Sequence, residues 1–397
     1  MKSLFLILAV VSTLRISAEV GVLNEPPRSI PSTLESPKDM VAPKGLAIDL
    51  RDRNAVVTFY NDVYLSGVSL DAGWTGNNGN CTPGTTTDAY IEATRVRINY
   101  YRAMAGLPTG IQMDPALNAQ CQEAALMMSS ESRLSHSPPP TWSCFTAAGA
   151  LAASRSNLTL GDAGPDAIDV YMEDPGAGNR AAGHRRWILD PGQTVMGTGS
   201  VTGNGAREAN ALWVINGGSD SGVSQPVAWP PIGFFPKRIL VSRWSYSHPQ
   251  ADFSSATVQM TVDGIPVTLT QNPVQNGFGD NTLVWEPRTD RLTPGQDVVY
   301  HIEISGMRVG GMEIPVSYTS TAIDLVLIDI GEGEGEGEGE GEGEGEGEGE
   351  GEGEAGCVLT IDLLKNDAKS AIANLFLVGL TLITMAGLGH RQKNVGR

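Results

Sequence analysis

Residues 331–354 alternate glycine and glutamate without a break. Each glycine costs a helix about 1 kcal/mol relative to alanine, and a glutamate at every second position repels its neighbours. The run has no apolar side chain to bury, so it is expected to remain a disordered spacer, reaching roughly 25–30 Å as a flexible chain. It therefore divides the sequence. Any packed core must come from the residues before it, and whatever follows serves another purpose. Its twelve glutamates also carry twelve of the eighteen net negative charges. The rest of the chain is only mildly acidic, with no basic footprint for nucleic acid.

The two ends read as export and anchoring signals. Lys2, the apolar run Leu4 to Leu14 and the small pair Ser17-Ala18 make residues 1–18 a secretory signal peptide. Residues 371–389 are nineteen positions without a charge, just enough to span a bilayer. His390, Arg391, Lys393 and Arg397 follow, which places the terminus inside and the preceding chain outside. The expectation is a protein exported across the membrane and held at the cell envelope or surface by a C-terminal helix. Gly356-Cys357, the apolar span and the basic end resemble the C-terminal sorting tails of some Gram-negative bacteria. That resemblance implies cleavage near Cys357 and transfer to the surface; a permanent anchor is the other reading. Outside the cytoplasm disulfides are allowed. Cys81 and Cys144 lie in turn-like segments and are candidates to pair, while Cys121 falls on an apolar helix face and reads as a buried thiol.

Between the ends, residues 19–50 read as a proline-containing leader, and Val56 to Tyr64 as a strand. Ile91, Thr94, Ile98, Tyr101 and Ala105 recur at helical spacing from Asp88 to the stop at Gly106-Leu-Pro108. A second helix has Asp114 as N-cap and Pro115 at its first position. Three consecutive prolines put His136 on an extended loop. Short helices over Ala147 to Ala153 and Asp166 to Glu173 follow. A Gly-rich turn then brings His184, Arg185, Arg186 and Trp187 together; the arginines are candidates to pair with Asp174 or Asp190, and Trp187 to enter the core. Strands are expected at 195–199 and 211–215. From Gln225 the period becomes two: Val258, Met260 and Val262, then Ile265, Val267 and Leu269, flank Asp263-Gly264, a strong hairpin signal. Asn80-Cys-Thr82 and Asn157-Leu-Thr159 match glycosylation triplets. No H-E-x-x-H, phosphate loop or G-x-S-x-G elbow is present.

An ordered series is more specific than any of these pieces. It runs Arg97-Ile-Asn99-Tyr-Tyr-Arg102, Gly106-Leu-Pro, Asp114-Pro-Ala-Leu117, Glu123-Ala-Ala, Leu134-Ser-His136, Gly183-His184-Arg185-Arg-Trp-Ile-Leu189 and Met196-Gly-Thr-Gly199. This series resembles the bacterial branch of the CAP superfamily, the SCP-like extracellular proteins, over residues 85 to 216. The resemblance implies an α-β-α sandwich with a shallow cleft lined by two histidines and two acids. His136 and His184 match the histidines, and Glu173 or Asp169 would face the cleft. The family's Gly-Glu-Asn falls at Ser156-Asn157-Leu158, where the glutamate is absent.

The expected architecture is thus α+β: a CAP-like domain over 51–225, a β-sandwich over 226–330, the spacer 331–354 and a transmembrane or sorting helix over 371–389. The expected function is a surface-anchored, non-catalytic binding module. Its His-lined cleft would take a peptide, lipid or glycan. The alternative is a metal-assisted hydrolase, peptidase-like, in which His136 and His184 hold a divalent ion such as zinc.

Overall fold

Asp52 opens the first helix, α1 (Arg53–Phe59), by accepting from the backbone N–H groups of Asn54 and Ala55. The strand expected over Val56–Tyr64 is therefore a helix, continued by a wider turn over Tyr60–Tyr64. Val56, Val57, Phe59, Tyr60 and Tyr64 are all buried, which a two-residue period cannot achieve from one side. Phe59 and Tyr64 close on Tyr100 at centroid separations of 5.1 and 5.2 Å.

The computed structural model describes residues 45–203, 205–216, 225–288 and 295–325. In its first half a four-stranded sheet is built from β1 (Gln112–Met113), β2 (Ser156–Leu160), β3 (Val195–Val201) and β4 (Ala209–Trp213). The order is β1-β3-β4-β2, parallel only between β1 and β3. On one face lie α2 (Asp88–Met104) and α5 (Gly164–Glu173), and on the other α3 (Pro115–Glu131) and α4 (Ala147–Arg155). β4 shows both faces in its alternation. Ala209, Ala211 and Trp213 enter the cluster of α3 and α4, while Leu212 joins the cluster of α2 and α5. A short helix, α6 (Gly183–Ile188), precedes β3. The caps at Asp114 and Thr87 hold α3 and α2 at their starts.

The Gly-Thr-Gly of β3 is explained by how closely α3 approaches it. A Cβ on Gly199 would stand 2.1 Å from the Gln122 backbone nitrogen, and one on Gly197 2.4 Å from the Leu117 Cβ. With the sheet this near, α3 side chains bond the strand directly. Gln122 pairs with both the N–H and the carbonyl of Ser200, and Asn118 accepts from the Thr198 N–H. Cys121 is sealed between them, and burial pushes its thiol up to about 12.

Among its described residues, the regular structure of the second half is β apart from a short 3-10 turn at Lys237–Ile239. Its strands are β5 (Val227–Trp229), β6 (Gly233–Pro236), β7 (Trp244–Ser247), β8 (Ala251–Asp252), β9 (Thr257–Val262), β10 (Ile265–Pro266), β11 (Leu269–Gln271) and β12 (Thr282–Pro287). β13 (Val298–Ser305), β14 (Arg308–Val309), β15 (Met312–Glu313) and β16 (Val316–Ile323) complete it. One sheet has the order β10-β9-β13-β16-β6 and a second β11-β12-β7-β5, with a small β15-β14-β8 sheet beside them. The two larger sheets meet through aromatic rings: Trp244 on Tyr300 at 5.0 Å and Tyr246 on Tyr318 at 6.2 Å. Asp263 and Gly264 turn the β9–β10 hairpin, both at positive φ.

The fold is α+β, and one hydrophobic cluster runs through both halves, from Val56, Ile98 and Tyr171 to Trp229, Trp285 and Ile323. Tyr101 meets Trp229 edge-on at 5.4 Å. The N-terminal segment adds a strap: Phe234 donates to the Leu50 carbonyl, and Arg53 pairs with Asp297 at 2.9 Å. The signal peptide 1–18, most of the leader, the spacer 331–354, Cys357 and the apolar segment 371–389 lie outside the described residues. Among the described residues no helix is long and apolar enough to cross a membrane.

The close α3–β3 approach gives a direct test. Gly199→Ala should lower stability by roughly 1–3 kcal/mol in urea denaturation, because backbone rather than a flexible side chain must move. A loss below the fitting error would contradict this packing.

Candidate functional site

α5 ends at Glu173, and the chain turns sharply because Asp174 adopts a left-handed conformation at φ +54°. That turn aims the Asp174 carboxylate back at the start of α6. Fully buried, it lies 2.8 Å from His184 Nδ1 and accepts from the His184 backbone N–H at 2.9 Å. One carboxylate thus fixes the imidazole and satisfies a free N–H of the helix start. Tyr171 stacks on the His184 ring at 5.5 Å, and its hydroxyl meets the Asn157 carbonyl and the Asn210 side chain. Asn157 Nδ2 donates to the His184 carbonyl at 3.1 Å. Asn157 Oδ1 and Thr159 Oγ1, on the same face of β2, are buried without a hydrogen-bond partner among the described residues.

The residues singled out in the sequence are placed differently from one another. His184 is at the centre of this cluster. His136 sits on the extended loop as expected, with Nδ1 2.7 Å from the Ala153 carbonyl at the end of α4. Neither Asp169 nor Glu173 hydrogen-bonds to His184. Asp169 instead pairs with Arg97 at 2.5 Å and accepts from the hydroxyls of Tyr64 and Tyr101, clasping α2 and α5 to the turn that follows α1. Glu173 accepts from the N–H and hydroxyl of Ser242, in the β half. The carboxylate at the histidine is Asp174. Sequence spacing alone could not select it over Glu173, because the left-handed turn that reverses its direction leaves no periodic signature.

Arg185 and Arg186 do not form the side-chain ion pairs expected with Asp174 or Asp190. Arg185 donates to the carbonyls of Met172, Glu173 and Arg243 and to the Ser245 hydroxyl. Arg186 donates to the carbonyls of Gln275 and Asp280. From the other side, Arg243 reaches the carbonyls of Asp174, Gly176 and Asn179 and the Glu286 carboxylate. Burial draws both Arg185 and Arg186 down to about 10, so they stay charged at neutral pH. Trp187 and Ile188 enter the core.

Cys81 and Cys144 form a disulfide with Cα atoms 5.0 Å apart, pinning the loop around residue 80 to the approach to α4. The two glycosylation triplets differ in access: Asn80 is exposed, whereas Asn157 is fully buried beneath His184. Among the described residues no group of three or more His, Cys, Asp or Glu side chains is placed to hold a metal ion. The donors around His184 therefore do not supply the three protein ligands of a catalytic zinc site.

Residues 96–216 match the family model described as CAP, the Cysteine-rich secretory protein family. The matched stretch contains Asn157, Asp174 and His184, most of α2 and the whole four-stranded sheet. No curated protein matches the chain.

Two outcomes follow from this geometry. Asp174→Ala orphans the ring and backbone donors of His184 and should cost about 3 kcal/mol in urea unfolding, at 1–3 kcal/mol per stranded group. Glu173→Gln, on a partly exposed contact, should cost less than about 1 kcal/mol. Equal losses would show that Asp174 holds nothing special. The second outcome concerns pH. Burial chiefly, with help from Asp190, raises Asp280 to about 6. The native state then binds that proton more tightly than the unfolded chain. The group's stabilising contribution is full below pH 4 and lost as pH rises through 6. Asp280→Asn should therefore gain stability relative to the parent between pH 4 and 7, as read by thermal melts; a constant difference would refute it.

Proposed function

Residues 96–216 are a CAP domain, and on that premise we propose that the chain is an extracellular, envelope-anchored binding module rather than a catalyst. The observation that carries this reading is the commitment of the three carboxylates between residues 169 and 174. Asp174 is closed beneath His184, Asp169 is held by Arg97 and two tyrosines, and Glu173 is turned to Ser242. An acid–base mechanism needs a carboxylate free to exchange a proton with substrate. At the family's glutamate triplet this chain has Asn157, an amide that neither gives nor takes a proton near neutral pH. The fixed histidine and its polar surroundings suit recognition of a peptide, lipid or glycan held outside the cell. Export and anchoring rest on the apolar segments at 4–14 and 371–389 and on the spacer between fold and anchor.

One feature favours the second reading, a metal-assisted hydrolase. A carboxylate behind Nδ1 is the arrangement that orients a metal-binding histidine, and Asp174 stands behind His184. Zinc titration by calorimetry separates the two. The exported chain is compared with His136→Ala and His184→Gln, with melting curves confirming that both fold. The binding reading expects no saturable uptake in the parent. Saturable uptake lost in both variants would replace it with the hydrolase. Intact-mass measurement of the mature protein tests export and anchoring: loss of residues 1–18 is expected, and the retained length shows whether the chain is cut near Cys357.

A further inference from the structure

The loop 272–281, between β11 and β12, closes around a single charged side chain of α6. The Arg186 guanidinium enters it and donates to the carbonyls of Gln275 at 2.8 Å and Asp280 at 2.7 Å. Its carbon also lies 5.4 Å from the centre of the buried Phe278 ring. Gly279 brings the loop backbone close to the end of α6. A Cβ there would stand 3.3 Å from Asp190 Oδ2 and 3.8 Å from the Arg186 carbonyl. Its φ of +71° is one that glycine adopts without strain.

This closure brings two carboxyl groups to one enclosed space. Asp190 and Asp280 line a cavity of about 10 Å3, the room of a single water molecule, with Arg185, Arg186, Ser245 and Ser247. The two carboxyls are not equivalent. Asp190 Oδ1 accepts from the Gly192 N–H at 2.8 Å, and the Arg102 guanidinium lies beside it; both favour its charged form against burial. No hydrogen bond to the Asp280 carboxyl is made among the described residues. It faces Asp190 and Arg186, and burial first, then Asp190, raise it to about 6. His248, just after β7, touches this loop only through its backbone N–H on the Asn281 carbonyl, while its ring accepts from Gln250.

We propose that loop 272–281 is a pH-sensitive clasp on α6, closed on Arg186 while Asp280 carries a proton and loosened once Asp280 ionises beside Asp190. The sign follows from proton linkage. The closed loop holds the proton more tightly than the opened loop, where Asp280 returns to water and to an ordinary carboxyl value. Closure is therefore favoured in acid and weakens as pH rises through 6. Arg186 attracts the ionised carboxylate, but burial and Asp190 outweigh it. The other end of α6 is held separately, by Asp174 on His184. The clasp acts independently of what the histidine cluster recognises, so its failure leaves the CAP-domain reading standing.

Phe278, buried in the closed loop, gives the readout: chymotrypsin cuts after it only when the loop opens. Low protease concentration makes the rate follow the open population. The rate on the exported chain is divided by that on a free peptide of residues 272–281 at the same pH, each variant with its own peptide. This ratio should rise about tenfold from about pH 5 to about pH 7.5. The full shift of Asp280 corresponds to about a hundredfold, and solvent screening of a half-buried group reduces it. Asp280→Asn should hold the ratio at its acid level throughout. Asp190→Asn, which removes the opposing charge, should make the rise smaller, and His248→Gln should match the parent. Cutting after Tyr171 should not accelerate in step, and melting curves confirm that each variant folds. A parent ratio that is flat with pH overturns the proposal. So does a rise that survives Asp280→Asn, keeps its full size in Asp190→Asn, disappears in His248→Gln, or is matched after Tyr171.

Discussion

Buried guanidinium groups that bond backbone carbonyls hold this structure together. Arg102, Arg185 and Arg243 are almost fully enclosed, and between them they reach carbonyls at the ends of α5 and α6 and in the turns that follow. Those carbonyls are the ones a helix cannot satisfy for itself, and they carry the negative end of its dipole. A planar fork of five donors meets several of them at once, which an ammonium cannot do with the same geometry. Burying such a charge is unfavourable, as the lowered values for Arg102 and Arg185 record. For Arg185 and Arg243, whose partners lie across the boundary, part of that cost is offset only while both halves stay in register. Arg185 and Arg243 therefore tie the helical layers to the β half from both sides.

That constraint shapes the histidine cluster. The stretch from Tyr171 to Pro191 has the composition of an exposed catalytic loop, yet its backbone carbonyls are taken by Arg185, Arg243 and Arg102. Asp174 is confined from two directions, since its side chain holds His184 and its own carbonyl is held by Arg243. A histidine buried this way keeps one ring position while the ordinary motions of a loop are suppressed.

Much of the fold was legible because local chemistry and tertiary packing agree. Asp114-Pro115 starts a helix in any context, Asp263-Gly264 tolerates the positive φ of a tight hairpin, and the period-two strands lie half-buried as their pattern requires. α1 was not legible, because Val56, Val57, Phe59 and Tyr60 are strong strand formers by propensity. Their helix is decided by the Asp52 cap and by packing onto Tyr100 from another segment. Within the site, the histidines are visible in the sequence and their partners are not. Glu173 and Asp174 are adjacent, and a single left-handed residue decides which one faces His184. Ser242 and Arg243, which bind this turn from the β half, carry no motif at all.

The molecule thus holds its segments by two different means. Charged groups near α6 are spent on joining the two halves, where any exposed partner would have to displace carbonyl–guanidinium bonds. The disulfide-stapled loop is fixed by different means: a covalent link, a two-way backbone bridge and an indole anchored by its N–H. The amides help as well: Asn77 Oδ1 accepts from the Gly79 N–H, and Asn78 Nδ2 donates to the Ser129 hydroxyl of α3. Around α6 the guanidinium groups carry the contact, and Arg186 Nε and Asn179 Oδ1 are left without a hydrogen-bond partner among the described residues.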